Sequence, residues 1–178
     1  MGVWSIPRTP RWENYLMGFR GMSGNMLNSI IVALAVTVAA VFIGSVAAYI
    51  FVRHEFPGKN VLFAAVISVM VVPAVLTLTP SYLLIINLGL RNTWWAIILP
   101  MVSGTQVGTI FLFRTFLGQQ PADLFEAAKI DGAGDFLMYR KIAMPLAIPV
   151  IAIQSVGIFG AVYNDFLWPM LVIDQDSK

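Results

Sequence analysis

The sequence contains no cysteine, a single histidine and few charged residues, and each shortage excludes a class of chemistry. Without cysteine, the 178-residue chain can form no disulfide, no thiolate metal site and no cysteine nucleophile. His54 alone leaves almost no material for a histidine-based metal centre or a catalytic triad. We therefore predict no metal site, no cofactor and no catalytic residue.

Charge is scarce as well. Charged residues make up 11% of the chain, whereas an ordinary soluble domain has about 25%. Apolar residues make up 58%, and the mean hydropathy is +0.80. So few charges cannot cover the surface of a water-soluble domain, and the composition predicts an integral membrane protein. The net charge of +2 and the lack of a basic stripe argue against nucleic acid as a partner.

Four long stretches without charged residues are candidate membrane spans. A helix needs about 20 apolar residues to cross a hydrocarbon layer of roughly 30 Å, and backbone groups in lipid must be hydrogen-bonded within their own segment. We therefore predict an all-α integral membrane protein with spans at 26–50, 61–86, 93–113 and 143–164. Pro73 and Pro80 interrupt the second span, where they either kink the helix or are simply tolerated by it.

The polar chemistry is concentrated between the third and fourth spans. The segment Arg114–Lys141 carries 8 of the 20 charges in 28 residues. Within it, Pro121 and Asp123 suit the first turn of a short helix, and Gly132 suits its end. A second helix is predicted to begin near Asp135 and to merge into the fourth span. The positive residues near the spans slightly favour a cytoplasmic location for this segment.

The short helix combines small and acidic side chains. Ala127 and Ala128 leave its surface low, so that the backbone of another protein can approach, while Glu126 and Asp131 offer charged contacts. The alternative is a helix that lies on lipid headgroups, although such helices usually carry Lys and Arg on their polar face.

The spacing of these residues matches a longer pattern. Glu126-Ala127-Ala128 is followed by three residues and Gly132, then by nine residues and Ile142, one residue and Met144-Pro145. This pattern resembles the EAA loop of bacterial ABC importer permeases, with Met144 where the family usually has leucine. Further segments are similar to the sugar-importer permeases of the maltose/maltodextrin and glycerol-phosphate type: Ala48-Tyr49 with Arg53, Phe56-Pro57-Gly58, and Tyr163 to Pro169.

The resemblance implies the helical core of a type I ABC importer permease, here with about four of the usual six spans. The chain is then either a fragment or a shortened protein. It would comprise an extracytoplasmic segment 1–25, a permease domain 26–173 with a cytoplasmic coupling loop 114–141, and a tail 174–178. The implied location is the bacterial inner (plasma) membrane. The implied partners are membrane lipid, ABC ATPase subunits, a second permease subunit and an extracytoplasmic solute-binding protein.

The source of energy can also be addressed from the residues. No predicted span carries an ionisable residue in its interior, whereas proton and voltage coupling normally need such groups at membrane depth. The chain has no G-x-x-x-x-G-K-[ST] phosphate loop, so it is not expected to be the ATPase or another enzyme. The resemblance implies a coupling helix that sits in a separate ATPase subunit and contains Glu126, Ala127, Ala128, Asp131 and Gly132.

Other interpretations remain open at this point. The chain could be a non-transporting membrane scaffold or a truncated permease remnant, and a passive channel is weakened by the lack of a charged ring. The solute could be glycerol phosphate or another polyol instead of a sugar. Several polar residues either line a hydrated path or bond across helices: Thr77, Thr79, Ser81, Tyr82, Asn87, Thr105, Gln106, Thr109, Gln154 and Asn164.

Two patterns concern packing and the membrane edges. Gly104 and Gly108 are spaced for close helix packing. Trp94, Trp95 and Trp168 are expected to lie at the edges of the membrane, where tryptophan is enriched.

Overall fold

The computed structural model describes residues 12–174, and within this range the chain is helical without any strand. The helices are α1 (Glu13–Arg53), α2 (Lys59–Ser68), α3 (Ala74–Asn87), α4 (Trp94–Gly118), α5 (Ala122–Ile130), α6 (Asp135–Met138), α7 (Met144–Leu146), α8 (Ile148–Tyr163) and α9 (Leu167–Val172). A 3₁₀ turn (Val69–Val71) follows α2, and a π-helical turn (Tyr139–Ala143) joins α6 to α7.

The first helix is much longer than the span predicted at 26–50. α1 has 41 residues and is therefore roughly 60 Å long, about twice the thickness of the hydrocarbon layer. It begins at Glu13, so much of the predicted segment 1–25 is helical. Positions 1–11 of that segment and 175–178 of the predicted tail lie outside the described residues.

The predicted second and fourth spans are bent helix pairs and not continuous helices. The segment Lys59–Val71, which comprises α2 and the 3₁₀ turn, meets α3 at an angle of 100°. The break lies at Val72 and Pro73. A proline disfavours the helical conformation of the residue before it, and Val72 is extended (ψ 117°), whereas Pro80 lies inside α3. The segment ending in α7 meets α8 at 77° around Ala147. The second loop helix therefore turns sharply instead of merging straight into the fourth span. Within the described range, α1 and α4 are the two single helices that are long and apolar enough to cross a membrane. If each bent pair counts as one span, the number of candidate spans rises to four.

α1 is the helix around which the others pack, mainly α4 and α8. Small buried residues allow this approach, and it is closest at Gly44, where an added Cβ would overlap the side chain of Thr109. The packing predicted for Gly104 and Gly108 is wrong for the described part of the chain, because a Cβ at either would meet nothing within 4 Å. The two glycines share one face of α4, as their spacing predicts, but no other described helix packs closely against them.

α9 packs against the start of α4. The indole Nε1 of Trp168 donates to the carbonyl of Ala96 at 2.9 Å, and the Trp168 ring is buried. Trp168 is therefore a packing residue and not an exposed membrane-edge anchor, in contrast to the exposed Trp94 and Trp95. The Asp165 carboxylate accepts from the backbone N–H of Leu167 at 3.0 Å, so it caps α9.

Candidate docking site

The short helix predicted in the loop is α5, and both of its ends follow the sequence signals. Pro121 precedes its first residue, and Asp123 lies in the first turn, next to the positive end of the helix dipole. At the other end Gly132 has φ +82°. Its N–H donates to the carbonyl of Lys129 at 3.0 Å, and that of Ala133 donates to Ala128 at 2.9 Å. These two bonds form a Schellman motif, which requires the left-handed conformation that glycine adopts without strain.

α5 has one buried face and one exposed face. Phe125 is 6% exposed and belongs to the main apolar cluster of the molecule. The predicted coupling residues Glu126, Ala127, Asp131 and Gly132 are all exposed, and Ala128 is half-buried. Next to them, the apolar side chain of Ile130 is 86% exposed. The structure thus brings the five predicted residues together on and around one short helix, with an apolar side chain among them.

The buried face of α5 is held by the C-terminal end of α1. The guanidinium carbon of Arg53 lies 3.5 Å from the centre of the Phe125 ring, a cation–π contact. Nη2 of the same side chain donates to the carbonyls of Leu117 and Gln120, each at 3.4 Å. The ring of Tyr49 also lies beside Phe125, with centroids 6.5 Å apart. We call Tyr49, Arg53 and Phe125 the aromatic clamp.

The second half of the loop is fixed to the same end of α1. The hydroxyls of Tyr139 and Ser45 are hydrogen-bonded at 2.8 Å in a buried position. Nε2 of His54 lies 3.6 Å from Oδ1 of Asp135, and both side chains are partly exposed. Tyr139 begins the π-helical turn, and such turns are frequent at functional sites. Both halves of the loop are therefore attached to the last turns of one long helix.

One local feature of the sequence indicates this junction, namely the spacing of three polar side chains in α1. Ser45, Tyr49 and Arg53 are spaced four residues apart, which places them on one face of α1. Their partners in the loop lie more than 60 positions away, so the spacing shows the face but not what it contacts.

Most of the candidate path-lining residues are engaged with protein groups. Gln154 Nε2 donates to Thr109 Oγ1 at 2.8 Å, which links α8 to α4. Five of the side chains bond to a backbone carbonyl of their own helix: Thr77, Thr105, Gln106, Thr109 and Asn164. For these residues the structure favours the interpretation as helix packing and helix stabilisation.

A cavity of about 670 Å³ lies at the opposite end of α1. Its lining comes from three distant parts of the sequence, which is why no motif indicated it, and includes Asn25, Asn28, Asn92, Trp94 and Asp165. Two of its polar side chains already have hydrogen-bond partners within the chain. Asp165 caps α9, and the Asn92 amide oxygen accepts from the backbone N–H of Asp174.

These observations define a class: a helical membrane protein with long apolar helices and an exposed loop helix that is anchored to the end of one of them. The chain belongs to the family of binding-protein-dependent transport system inner membrane components, whose family model matches residues 40–176. The resemblance to ABC importer permeases of the carbohydrate type and the all-α fold predicted from the sequence are thus confirmed.

Individual relatives agree with this assignment. The chain is 37% identical over 164 residues to the trehalose transport system permease protein SugB of Mycobacterium tuberculosis, which covers 91% of this chain and 60% of SugB. It is 31% identical over 180 residues to the sn-glycerol-3-phosphate transport system permease protein UgpE of Yersinia pestis, covering 97% of this chain and 63% of UgpE.

A similar fold occurs in a crystal structure of a bacterial ABC transporter involved in the import of the acidic polysaccharide alginate. The TM-score is 0.76 at 23% identity, over 84% of this chain and 52% of the other. The chain thus spans between half and two thirds of the length of these proteins.

Proposed function

We propose that the chain is a transmembrane permease subunit of a bacterial ATP-driven carbohydrate importer. In this role it forms part of the translocation path and couples ATP hydrolysis in a partner subunit to movement of the solute. The family assignment supports the role, as do relatives named for the transport of trehalose and of glycerol phosphate. Both solutes are small and rich in hydroxyl groups, so we extend the proposal to a sugar or a polyol derivative.

The proposed location is the inner membrane of a bacterial cell, with the docking loop in the cytoplasm. The family is described as an inner membrane component, and α1 and α4 are suited to spanning a bilayer. The proposed partners are ABC ATPase subunits, a second permease subunit and an extracytoplasmic solute-binding protein. We assign ATP hydrolysis to the separate ATPase, because this sequence has no phosphate-binding loop.

The observation that carries the proposal is the exposed face of α5. Glu126 and Asp131 can pair with cationic groups of the ATPase at the rim of an interface, while Ala127 allows close approach and Ile130 offers an apolar contact. An exposed apolar side chain beside acidic groups on a well-anchored helix is suited to a protein partner. A helix that bound anionic headgroups would carry lysine and arginine at these positions.

A depression of about 310 Å³ at the C-terminal end of α5 adds to this surface. Ala128, Ala133 and Met138 contribute to its apolar floor, and Asp131 and Lys141 lie at its margin. We propose that a side chain of the ATPase occupies it, so that each partner inserts into the other.

The test is the assembled transporter, with two measurements: the amount of ATPase subunit that co-purifies, and solute uptake driven by ATP in vesicles. Glu126→Lys and Ala127→Trp should each weaken co-purification by about fivefold or more, the effect of about 1 kcal/mol at an interface. Gln119→Lys changes an exposed residue outside α5 and serves as the matched control.

Undiminished ATPase binding and uptake in both variants would contradict the docking role. Stronger association of the Glu126→Lys chain with anionic vesicles, with no loss of uptake, would instead indicate a helix that lies on the membrane surface.

A further inference from the structure

The aromatic clamp occupies the place where movement of α5 would reach the membrane helices. Phe125 projects from the buried face of α5, whereas Glu126, Ala127 and Asp131 are exposed, so that any partner that moves α5 also moves this ring. The buried ring contacts two side chains of α1, and Arg53 in addition binds carbonyls at the end of α4 and just beyond it. Phe125 therefore contacts the end of α1 directly, and Arg53 links this contact to the end of α4.

The aromatic clamp and the neighbouring Gln120 contain buried polar atoms that lack a hydrogen-bond partner. Within residues 12–174, the Tyr49 hydroxyl, Arg53 Nε and both amide atoms of Gln120 are buried without a hydrogen-bond partner from the chain. Tyr49 and Arg53 both contact Phe125, and the backbone carbonyl of Gln120 accepts from Arg53. Because a buried polar atom without a partner is costly, a displacement of α5 that gave these atoms partners would be favoured by the new hydrogen bonds.

Two other contacts between the loop and the end of α1 differ from the aromatic clamp. The Tyr139–Ser45 bond joins two hydroxyls that are already paired, and Ser45 also donates within α1 to the Phe42 carbonyl. The His54–Asp135 pair is partly exposed and 3.6 Å apart, so water screens it. They attach the second half of the loop, whereas the clamp attaches the docking helix itself.

We propose that Phe125, in contact with Tyr49 and Arg53, is the positioning residue that transmits displacement of α5 to α1. This inference rests on the proposed coupling of α5 to an ATPase and adds the residues through which that coupling passes. Because α1 packs along α4 and α8, a displacement delivered at Arg53 is carried along the helix to Asn28, which lies roughly 37 Å away beside the cavity.

The absence of cysteine makes a direct measurement possible. In the assembled transporter, Asn28→Cys introduces the only thiol of this chain, at an exposed position beside the large cavity. Its rate of reaction with a membrane-impermeant maleimide is measured without nucleotide and with ATP plus vanadate. We expect the two rates to differ by about fivefold or more, the lower end of typical coupling between distant sites.

In the same background, Phe125→Ala and Arg53→Gln should each reduce the difference to less than about twofold while the ATPase subunit still co-purifies. Arg53→Lys keeps a cation over the ring and should restore part of the response. Phe63→Ala is the matched control, because it removes an aromatic ring of α2 that lies 3.8 Å from another guanidinium, that of Arg114 on α4. It should leave the response unchanged.

The two hypotheses fail in different ways. If the Asn28→Cys parent responds to nucleotide and both clamp variants respond as strongly as the parent, the transmission role is overturned and the proposed function stands. If the parent binds no ATPase and shows no response, the proposed function fails and the inference fails with it.

Discussion

α1 is held by two different kinds of contact along its length. In its middle, the stretch from Val32 to Ala40 packs into an apolar cluster with α4 and α8, and nearer the C-terminal end Gly44 lies directly against Thr109 of α4. At its C-terminal end, Tyr49 and Arg53 hold α5 through a ring and a guanidinium, with unpaired polar atoms beside them. A close-packed interface gives way only with strain, because protein interiors have almost no free volume. The end contacts keep more than one arrangement within reach.

The difference suggests a division of labour. The middle of α1 should behave as part of one rigid body with α4 and α8, while the end of α1 receives movement from the loop. Changes in the middle should therefore act mainly on the free energy of unfolding, and changes at the end should act mainly on the coupling between nucleotide and helix position.

The largest effect on stability is expected at the closest approach. Gly44→Ala adds a Cβ that overlaps the Thr109 side chain, and overpacking of this kind costs about 1–3 kcal/mol. We expect a clear decrease in the thermal unfolding temperature of the purified chain in detergent. Gly104→Ala is the matched control, since its Cβ meets nothing within 4 Å among the described residues and alanine is the better helix former. Equal unfolding temperatures for the two variants would contradict the packing described for α1 and α4.

The polar link between α4 and α8 should come next. Thr109→Val removes the acceptor of the Gln154 amide and leaves that amide without its partner at 2.8 Å, at a cost of about 1–3 kcal/mol. The double variant Thr109→Val/Gln154→Leu removes both polar groups, so its unfolding free energy should recover toward that of the parent. A double-mutant cycle of thermal unfolding measures the coupling. Strictly additive effects would show that the bond contributes nothing.

Much of this architecture could be predicted from local features of the sequence. Charge-free stretches indicated the membrane helices, because the cost of burying charge in lipid acts on every residue independently of its neighbours. Pro121, Asp123 and Gly132 predicted both ends of α5, since these signals act within a single turn.

The parts that could not be predicted depend on contacts between distant segments. Prolines at 73, 145 and 149 show where helices are weakened, but the bends of 100° and 77° depend on what the two halves pack against. The glycine spacing on α4 predicted a packing face, yet a spacing does not say which helix faces it. The clamp brings Arg53 to Phe125 across 72 positions, and no local pattern specifies such a pair.

A smaller effect is expected at the hydroxyl pair on the π-helical turn. Tyr139→Phe removes one hydroxyl, while Ser45 keeps its bond to the Phe42 carbonyl, so the cost should be about 0.5–1.5 kcal/mol. Thermal unfolding and ATP-driven uptake should both be measured, with Tyr163→Phe on α8 as control. We expect a modest decrease in the unfolding temperature and nearly normal uptake. Loss of uptake without loss of stability would move the point of transmission from Phe125 to Tyr139.

The smallest effect is expected at the contact between His54 and Asp135. Asp135→Asn removes the carboxylate charge from a partly exposed pair 3.6 Å apart, and such pairs contribute about 0–1 kcal/mol. The unfolding temperature and the nucleotide response of Asn28→Cys should both stay close to those of the parent. A large loss of response in this variant, combined with a normal response in Phe125→Ala, would show that the contact of Asp135 with His54, and not the aromatic ring, transmits movement from the loop to α1. The Asp135 and Phe125 variants together therefore decide which chemistry at the end of α1 carries the movement.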